Sequence, residues 1–276
     1  MIEILNKILF TDFDETLLTT DKTIVKENYE AIESMLAQGN YLAYTTGRPL
    51  QGALKLIEQQ KLPKKRCFLL CFQGCFVYDL EHDKVVDSSP MDTDKMLQLV
   101  QLLRDRNIYL EAFGKDKFYC FDFTEATKRY NGLTNEAYEV ISDMDVLANQ
   151  PIYKVMAIDF DDKAPLEQLK REAEEGAYPF DSFFSSDWFY EFCGKGQNKG
   201  TGLKALAEYL QIPIEHTVAV GDEENDLSMI LAAGIGVSMC NGKDVVKRQA
   251  DAITDADNNH GGVAETIHRF ILGDEQ

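Results

Sequence analysis

Residues 7–18, KILFTDFDETLL, set two carboxylates, Asp12 and Asp14, directly behind the apolar run Ile8, Leu9 and Phe10. Carboxylates so close to a buried segment are costly unless they are paired, hydrogen-bonded or engaged with a cation. If the strand continues through them, their i, i+2 spacing turns both side chains to one side. Two like charges there raise a pKa or recruit a cation. A helix-loop-helix calcium loop is set aside, because its sixth and twelfth positions need glycine and glutamate and hold Leu17 and Thr23.

Working outward, the same order repeats: an apolar run, a polar or glycine-containing turn, then a helical pattern. NYEAIESMLAQG reads as a helix stopped by Gly39. YLAYTT ends in GRP before the helical LQGALKLIEQQ, RCFLLCF ends in QG, HTVAV ends in GDEEND, and IGVSM ends in CNGKD. Short apolar strands alternating with helices predict an α/β fold with a doubly wound, Rossmann-like parallel sheet. Residues 83–187 differ, with strands of alternating character such as YLEAFGKDKFYCFDF and IYKVMAIDF between helices. They predict an α+β cap inserted into a core made of residues 1–82 and 188–276. In open parallel sheets ligands bind beyond the carboxyl ends of the strands, where the polar turns lie, and an insert there can cover them.

The formal net charge of −19 argues against nucleic acid, which needs a basic face, and against anionic membranes. No apolar run reaches the length of about 18 residues that a membrane span needs. The opening MIEILNKILFTDFDE does not read as a leader peptide, since Glu3, Asn6 and Lys7 interrupt it. Six cysteines in apolar company, at 67, 71, 75, 120, 193 and 240, predict reduced core thiols and a cytoplasmic protein. Oligomeric state is not legible.

Four turns carry chemistry. The first holds Asp12 and Asp14. The second, TTGR, offers the Thr46 hydroxyl beside Gly47, whose missing side chain lets a ligand approach the backbone, with Arg48 following. The third sets Lys199 just before a helix, where a cation opposes the helix dipole and an anion compensates it. The fourth, GDEEND, puts Asp222 and Asp226 one helical turn apart with Asn225 between them. Two acids behind an apolar strand suggest Mg²⁺, which prefers carboxylate oxygen and water. Asp159 and Asp161 repeat the Asp-x-Asp spacing, but a proline and a predicted helix follow, so that pair reads as a turn with a helix cap.

These turns, in this order, resemble the four motifs of the haloacid dehalogenase-like superfamily, most nearly its Cof-type phosphatases. DFDET, Thr46, Lys199 and GDEEND match motifs one to four, and the likeness continues through GIGVSMCNGKDVVKRQADAIT and NNHGGVAETI. The resemblance implies a Mg²⁺-dependent phosphatase of a small phosphorylated metabolite, such as a sugar or cofactor phosphate. Asp12 would be the nucleophile that forms an aspartyl phosphate. Asp14 would be the acid and then the base, with a pKa lifted toward neutrality. Asp12, the Asp14 carbonyl and Asp222 would hold the metal, helped by Asp226. Thr46, Gly47, Lys199 and Asn225 would bind phosphoryl oxygens, and Arg48 would reach toward the substrate. The resemblance leaves open a phosphotransferase or mutase using the same intermediate, and a catalytically silent ligand-binding relative. Two residues depart from the pattern: Glu15 stands where glycine or aspartate is usual, and Gln73 where asparagine is usual.

Overall fold

A computed structural model of the chain describes residues 6–134 and 136–273. Residues 1–5, part of the stretch read against a leader peptide, lie outside the described residues. In chain order the strands are β1 (Ile8–Asp12), β2 (Tyr41–Thr45), β3 (Cys67–Cys71), β4 (Phe76–Asp79), β5 (Lys84–Ser88), β6 (Tyr109–Phe113), β7 (Phe118–Cys120), β8 (Tyr138–Val140), β9 (Lys154–Ile158), β10 (Phe180–Ser186), β11 (Phe189–Gly194), β12 (Thr217–Gly221), β13 (Ile235–Ser238) and β14 (Ala252–Ile253). They form an eight-stranded sheet, β14-β13-β12-β1-β2-β3-β4-β5, and a six-stranded sheet, β10-β11-β9-β6-β7-β8.

The chain divides into two compact units. Of the described residues, one comprises 6–48, 55–88 and 198–273, and the other 49–54, 89–134 and 136–197. The change-over falls later than residues 83 and 187, because Lys84–Ser88 pairs antiparallel with β4 in the first sheet and Phe189–Gly194 pairs with β9 in the second.

In the first unit β14 through β3 run parallel, and β4 and β5 close one edge antiparallel. All five residues of β1 are buried, as a central parallel strand covered on both faces requires. The sheet order places the switch of winding direction between β1 and β12, the crevice where such sheets bind ligands. Alternation turns Ile8 and Phe10 to one face, where they pack with Leu203, Leu206 and Ala207 of the helix Lys199–Tyr209. Asp12 continues that row of β1. Lys199 lies four residues before Leu203, on the same helical stripe. Both charged side chains are therefore carried to one place by an apolar contact.

In the second unit, Leu110 and Ala112 of β6, Val155 and Ala157 of β9, and Tyr190 and Phe192 of β11 pack on Leu99, Leu103, Leu166 and Leu169 from its helices. The alternate positions, Tyr109, Glu111 and Phe113, belong to the other face. Glu111 is fully buried there, and its Oε2 has no hydrogen-bond partner among the described residues. The Asp159–Asp161 pair closes a turn, with Asp159 Oδ1 accepting from the amides of Asp161 at 3.0 Å and Asp162 at 2.8 Å.

None of the six cysteines forms a disulfide, and five are buried. Among the described residues no helix is long and apolar enough to cross a membrane.

Candidate active site

The strand does not continue through the opening pair. β1 ends at Asp12, and residues 13–17 form a wide helical turn in which the Leu18 amide donates to the Phe13 carbonyl at 2.8 Å. Asp12 and Asp14 therefore face different partners. Asp12 Oδ1 accepts from Lys199 Nζ at 2.5 Å, and the same ammonium donates to Asp226 Oδ1 at 2.5 Å. Lys199 and Asp226 are fully buried. The dipole conflict of a lysine at a helix start is thus resolved inside the chain, by two carboxylates. An Asn198–Thr201 capping box closes the same helix end, with Asn198 Oδ1 accepting from the Thr201 amide at 3.1 Å.

Asp226 Oδ2 accepts from the Asp222 and Glu223 amides, each at 3.0 Å. Both of its oxygens are engaged, so Asp226 fixes Lys199 and the turn behind β12. Asp222 accepts from the Thr16 hydroxyl at 2.6 Å. Thr16 is buried and was not among the expected site residues. Its signal in the sequence is its place in DFDET, four residues after Asp12.

One oxygen from each of Asp12, Asp222 and Asp226 lies within 4.8 Å of the others. Three carboxylates share one lysine there. Burial, opposed by Lys199 and reinforced by Asp226 and Asp222, pushes the Asp12 carboxyl up to about 8. Burial likewise pushes Asp222 up to about 7, against the hydrogen bond from Thr16 and with the charges of Asp226 and Glu223 adding to the rise. Lys199 is held protonated, because the two carboxylates outweigh its burial. A crowded all-oxygen donor set short of positive charge fits a hard divalent cation such as Mg²⁺.

Asp14 contradicts the expectation of a pKa lifted toward neutrality. Burial raises its carboxyl, but the Arg48 guanidinium and the Lys22 ammonium outweigh burial and hold it below its ordinary value. Arg48 Nη2 lies 3.0 Å and 2.9 Å from the two Asp14 oxygens, and Lys22 Nζ lies 3.3 Å from one of them. Arg48, expected at the substrate, is engaged with Asp14 here. Lys22 is a second group the sequence reading missed.

Glu15 takes a left-handed backbone (φ 57°), which explains why a glycine or aspartate suits that position. Its carboxylate accepts from Lys22 at 3.0 Å, Thr20 at 3.2 Å and Asn258 at 3.1 Å, and its carbonyl accepts from Asn241 at 2.8 Å. The substituted carboxylate ties the loop to the NNHGG segment, and the backbone carbonyl ties it to GIGVSMCNGK.

The second turn sits beside the first. The Thr46 amide donates to Leu70 at 2.9 Å, and its hydroxyl accepts from the Arg48 amide at 3.1 Å. The space where Gly47 would carry a Cβ is occupied by Gln73, whose Nε2 lies 2.6 Å from that point. Asn225 is exposed and donates to Gln73 Oε1 at 3.3 Å.

The haloacid dehalogenase-like hydrolase family model matches residues 9–267. A Streptococcus pyogenes protein with a provisional phosphatase name is 31% identical over 96% of this chain and 98% of its own length. The 5-amino-6-(5-phospho-D-ribitylamino)uracil phosphatase YitU of Bacillus subtilis is 27% identical over 96% and 97%. The crystal structure of a haloacid dehalogenase-like hydrolase from Bacteroides thetaiotaomicron superposes with a TM-score of 0.82 at 26% identity, covering 96% of this chain and 99% of that one. The chain belongs to the haloacid dehalogenase-like hydrolase family. Within it the chain is a phosphatase, an enzyme that hydrolyses phosphoric monoesters.

Proposed function

We propose that the protein is a Mg²⁺-dependent phosphatase of a small phosphorylated metabolite, working through an aspartyl phosphate on Asp12. The observation that carries this reading is the Asp12 carboxylate at the switch point, oriented by Lys199 and backed by Asp222 and Asp226. The uracil ribityl phosphate named for the Bacillus subtilis relative supports a small, polar leaving group. The absence of disulfides supports a reducing, cytoplasmic setting.

An Asp12 oxygen attacks phosphorus as the bond to the ester oxygen breaks, the usual use of a carboxylate nucleophile. Thr46, Gly47, Lys199 and Asn225 hold phosphoryl oxygens while their charge redistributes. The Asp12 and Asp222 carboxylates and the Asp14 carbonyl would hold Mg²⁺, which would supply the positive charge that lets two anions approach.

Asp14 rests ionised against Arg48 and must gain a proton before it can give one to the leaving alkoxide. A phosphate anion at Thr46 and Gly47 competes for the Arg48 guanidinium. Loss of that partner, with a new negative charge close by, moves the Asp14 carboxyl upward and lets it take up the proton. In the second half-reaction Asp14 removes a proton from water, which attacks the aspartyl phosphate and releases phosphate.

Phosphate release from a panel of sugar, nucleotide and cofactor phosphates tests the reading. The prediction is turnover that favours a few members. Binding without turnover across the panel would replace it with a silent ligand-binding role.

A further inference from the structure

The turn after β3 is built at a cost that its own packing does not explain. Phe72 (φ 50°) and Gln73 (φ 59°) are consecutive non-glycine residues in the left-handed region, and Gly74 (φ 91°) follows them. Such backbone is rare for residues with a Cβ and persists where surrounding contacts over-determine it.

Those contacts reach three of the four chemical turns. The Gln73 amide donates to the Thr46 carbonyl at 3.0 Å, and the Phe72 amide donates to the Arg48 carbonyl at 3.1 Å. The Gln73 Oε1 accepts from Asn225 at 3.3 Å. A Cβ on Gly74 would lie 2.4 Å from the Asn198 carbonyl, so the turn is wedged against the start of the helix that carries Lys199.

This frame aims the Gln73 side chain. The residue is only 7% exposed, and its Nε2 stands over the backbone of Gly47. Its Oε1 is committed to Asn225, which orients the amide so that the NH₂ end faces the Thr46–Gly47 turn. An asparagine, one methylene shorter, would not reach as far across Gly47.

We propose that Gln73 is a substrate-binding residue, whose Nε2 donates to an oxygen of the phosphoryl group seated on the Thr46–Gly47 turn. The proposal rests on the phosphatase reading above. It adds a neutral donor to that site, and it makes the Gln-for-Asn replacement a functional contact.

The test is inhibition of the full-length enzyme by inorganic phosphate, measured across about pH 5 to pH 8 for the wild type, Gln73→Ala and Gln73→Glu, with circular dichroism to check folding. Inhibition is read as the ratio of variant to wild type at each pH, which cancels the ionisation of phosphate itself. Loss of one donor in Gln73→Ala should raise the inhibition constant about fivefold. Gln73→Glu keeps the acceptor for Asn225 but replaces the donor with a charge. It should bind phosphate more than about tenfold more weakly at the alkaline end. The introduced carboxyl, nearly buried beside acidic groups, titrates above its ordinary range. Protonation restores a donor, so the ratio should fall toward that of the wild type at the acidic end. A Gln73→Ala constant within about twofold of wild type, or a Gln73→Glu defect that ignores pH, overturns the proposal. A wild type that neither turns over phosphate esters nor binds phosphate overturns the phosphatase reading as well.

Discussion

Glu111 offers a quantitative test of how the inserted unit is held together, through the single substitution Glu111→Gln. The Tyr109 hydroxyl lies 2.9 Å from Glu111 Oε1 and 2.8 Å from Thr127 Oγ1, and Thr127 donates to the Asp122 carbonyl at 3.1 Å. Tyr109 has one proton for two acceptors, and a protonated Glu111 supplies the second. Burial pushes the Glu111 carboxyl up to about 9 from 4.5; the Tyr109 bond opposes the rise, Glu136 adds to it, and Lys154 opposes it weakly. Lys154 is drawn instead to Glu191, at 3.2 Å.

The folded state therefore holds a proton that the unfolded chain releases near 4.5, and stability falls as pH rises between those values. At about 1.4 kcal/mol per pH unit, the loss through this group between about pH 5 and pH 8 is on the order of 4 kcal/mol. Glutamine can donate to Tyr109 and never ionises. Urea unfolding at both pH values should show Glu111→Gln within about 1 kcal/mol of wild type at the acidic one. At the alkaline one it should be more stable by several kcal/mol, of the order worked out above. A variant less stable than wild type at the alkaline pH would mean that Glu111 is ionised and paired with Lys154, and would refute the reasoning.

Four other outcomes follow from the site. Lys199→Met leaves Asp12 and Asp226 buried without their shared cation, so it should cost about 3–5 kcal/mol of stability in urea and eliminate measurable turnover. Chelation should silence the enzyme and Mg²⁺ restore it, with Ca²⁺ a poor substitute and Asp222→Ala raising the Mg²⁺ requirement. Without the ion, Asp12 (about 8) and Asp222 (about 7) retain protons that the unfolded chain releases at 3.8, so metal-free stability should fall as pH rises through that window, and saturating Mg²⁺ should flatten the fall. Arg48→Ala removes the strongest influence that lowers Asp14, so the alkaline limb of the kcat/KM profile, set by the acid that protonates the leaving group, should move to higher pH; an unmoved limb would detach Arg48 from Asp14 chemistry.

The core of the site was legible because its residues sit where strands stop. Ile8, Leu9 and Phe10 announce a strand buried on both faces, and the carboxylate that ends it has few structural excuses. Lys199 announced itself by opposing its helix dipole, although its partners proved to be Asp12 and Asp226. What stayed hidden depends on pairs far apart in the chain. Arg48 meets Asp14 across 34 residues, and Thr16 meets Asp222 across 206. Local spacing carries no trace of either pair. The resulting fall in the Asp14 pKa reversed an expectation drawn from neighbouring carboxylate charge and partial burial. Glu111 was hidden for another reason: in YLEAF it looks like the solvent side of an alternating strand, and only tertiary burial shows otherwise. The left-handed pair Phe72–Gln73 is invisible because neither residue type signals that backbone.

The central claim is that Asp12 itself carries the phosphoryl group. Acid quenching during turnover, followed by peptide mass spectrometry, should find phosphate on the peptide containing Asp12, and Asp14→Asn should increase the trapped fraction by slowing hydrolysis. Asp12→Asn should fold, bind phosphate and show no trapped species. Phosphate trapped on another residue, or an Asp12→Asn enzyme that keeps more than about a tenth of wild-type kcat, a barrier change of only ~1.4 kcal/mol, would contradict it.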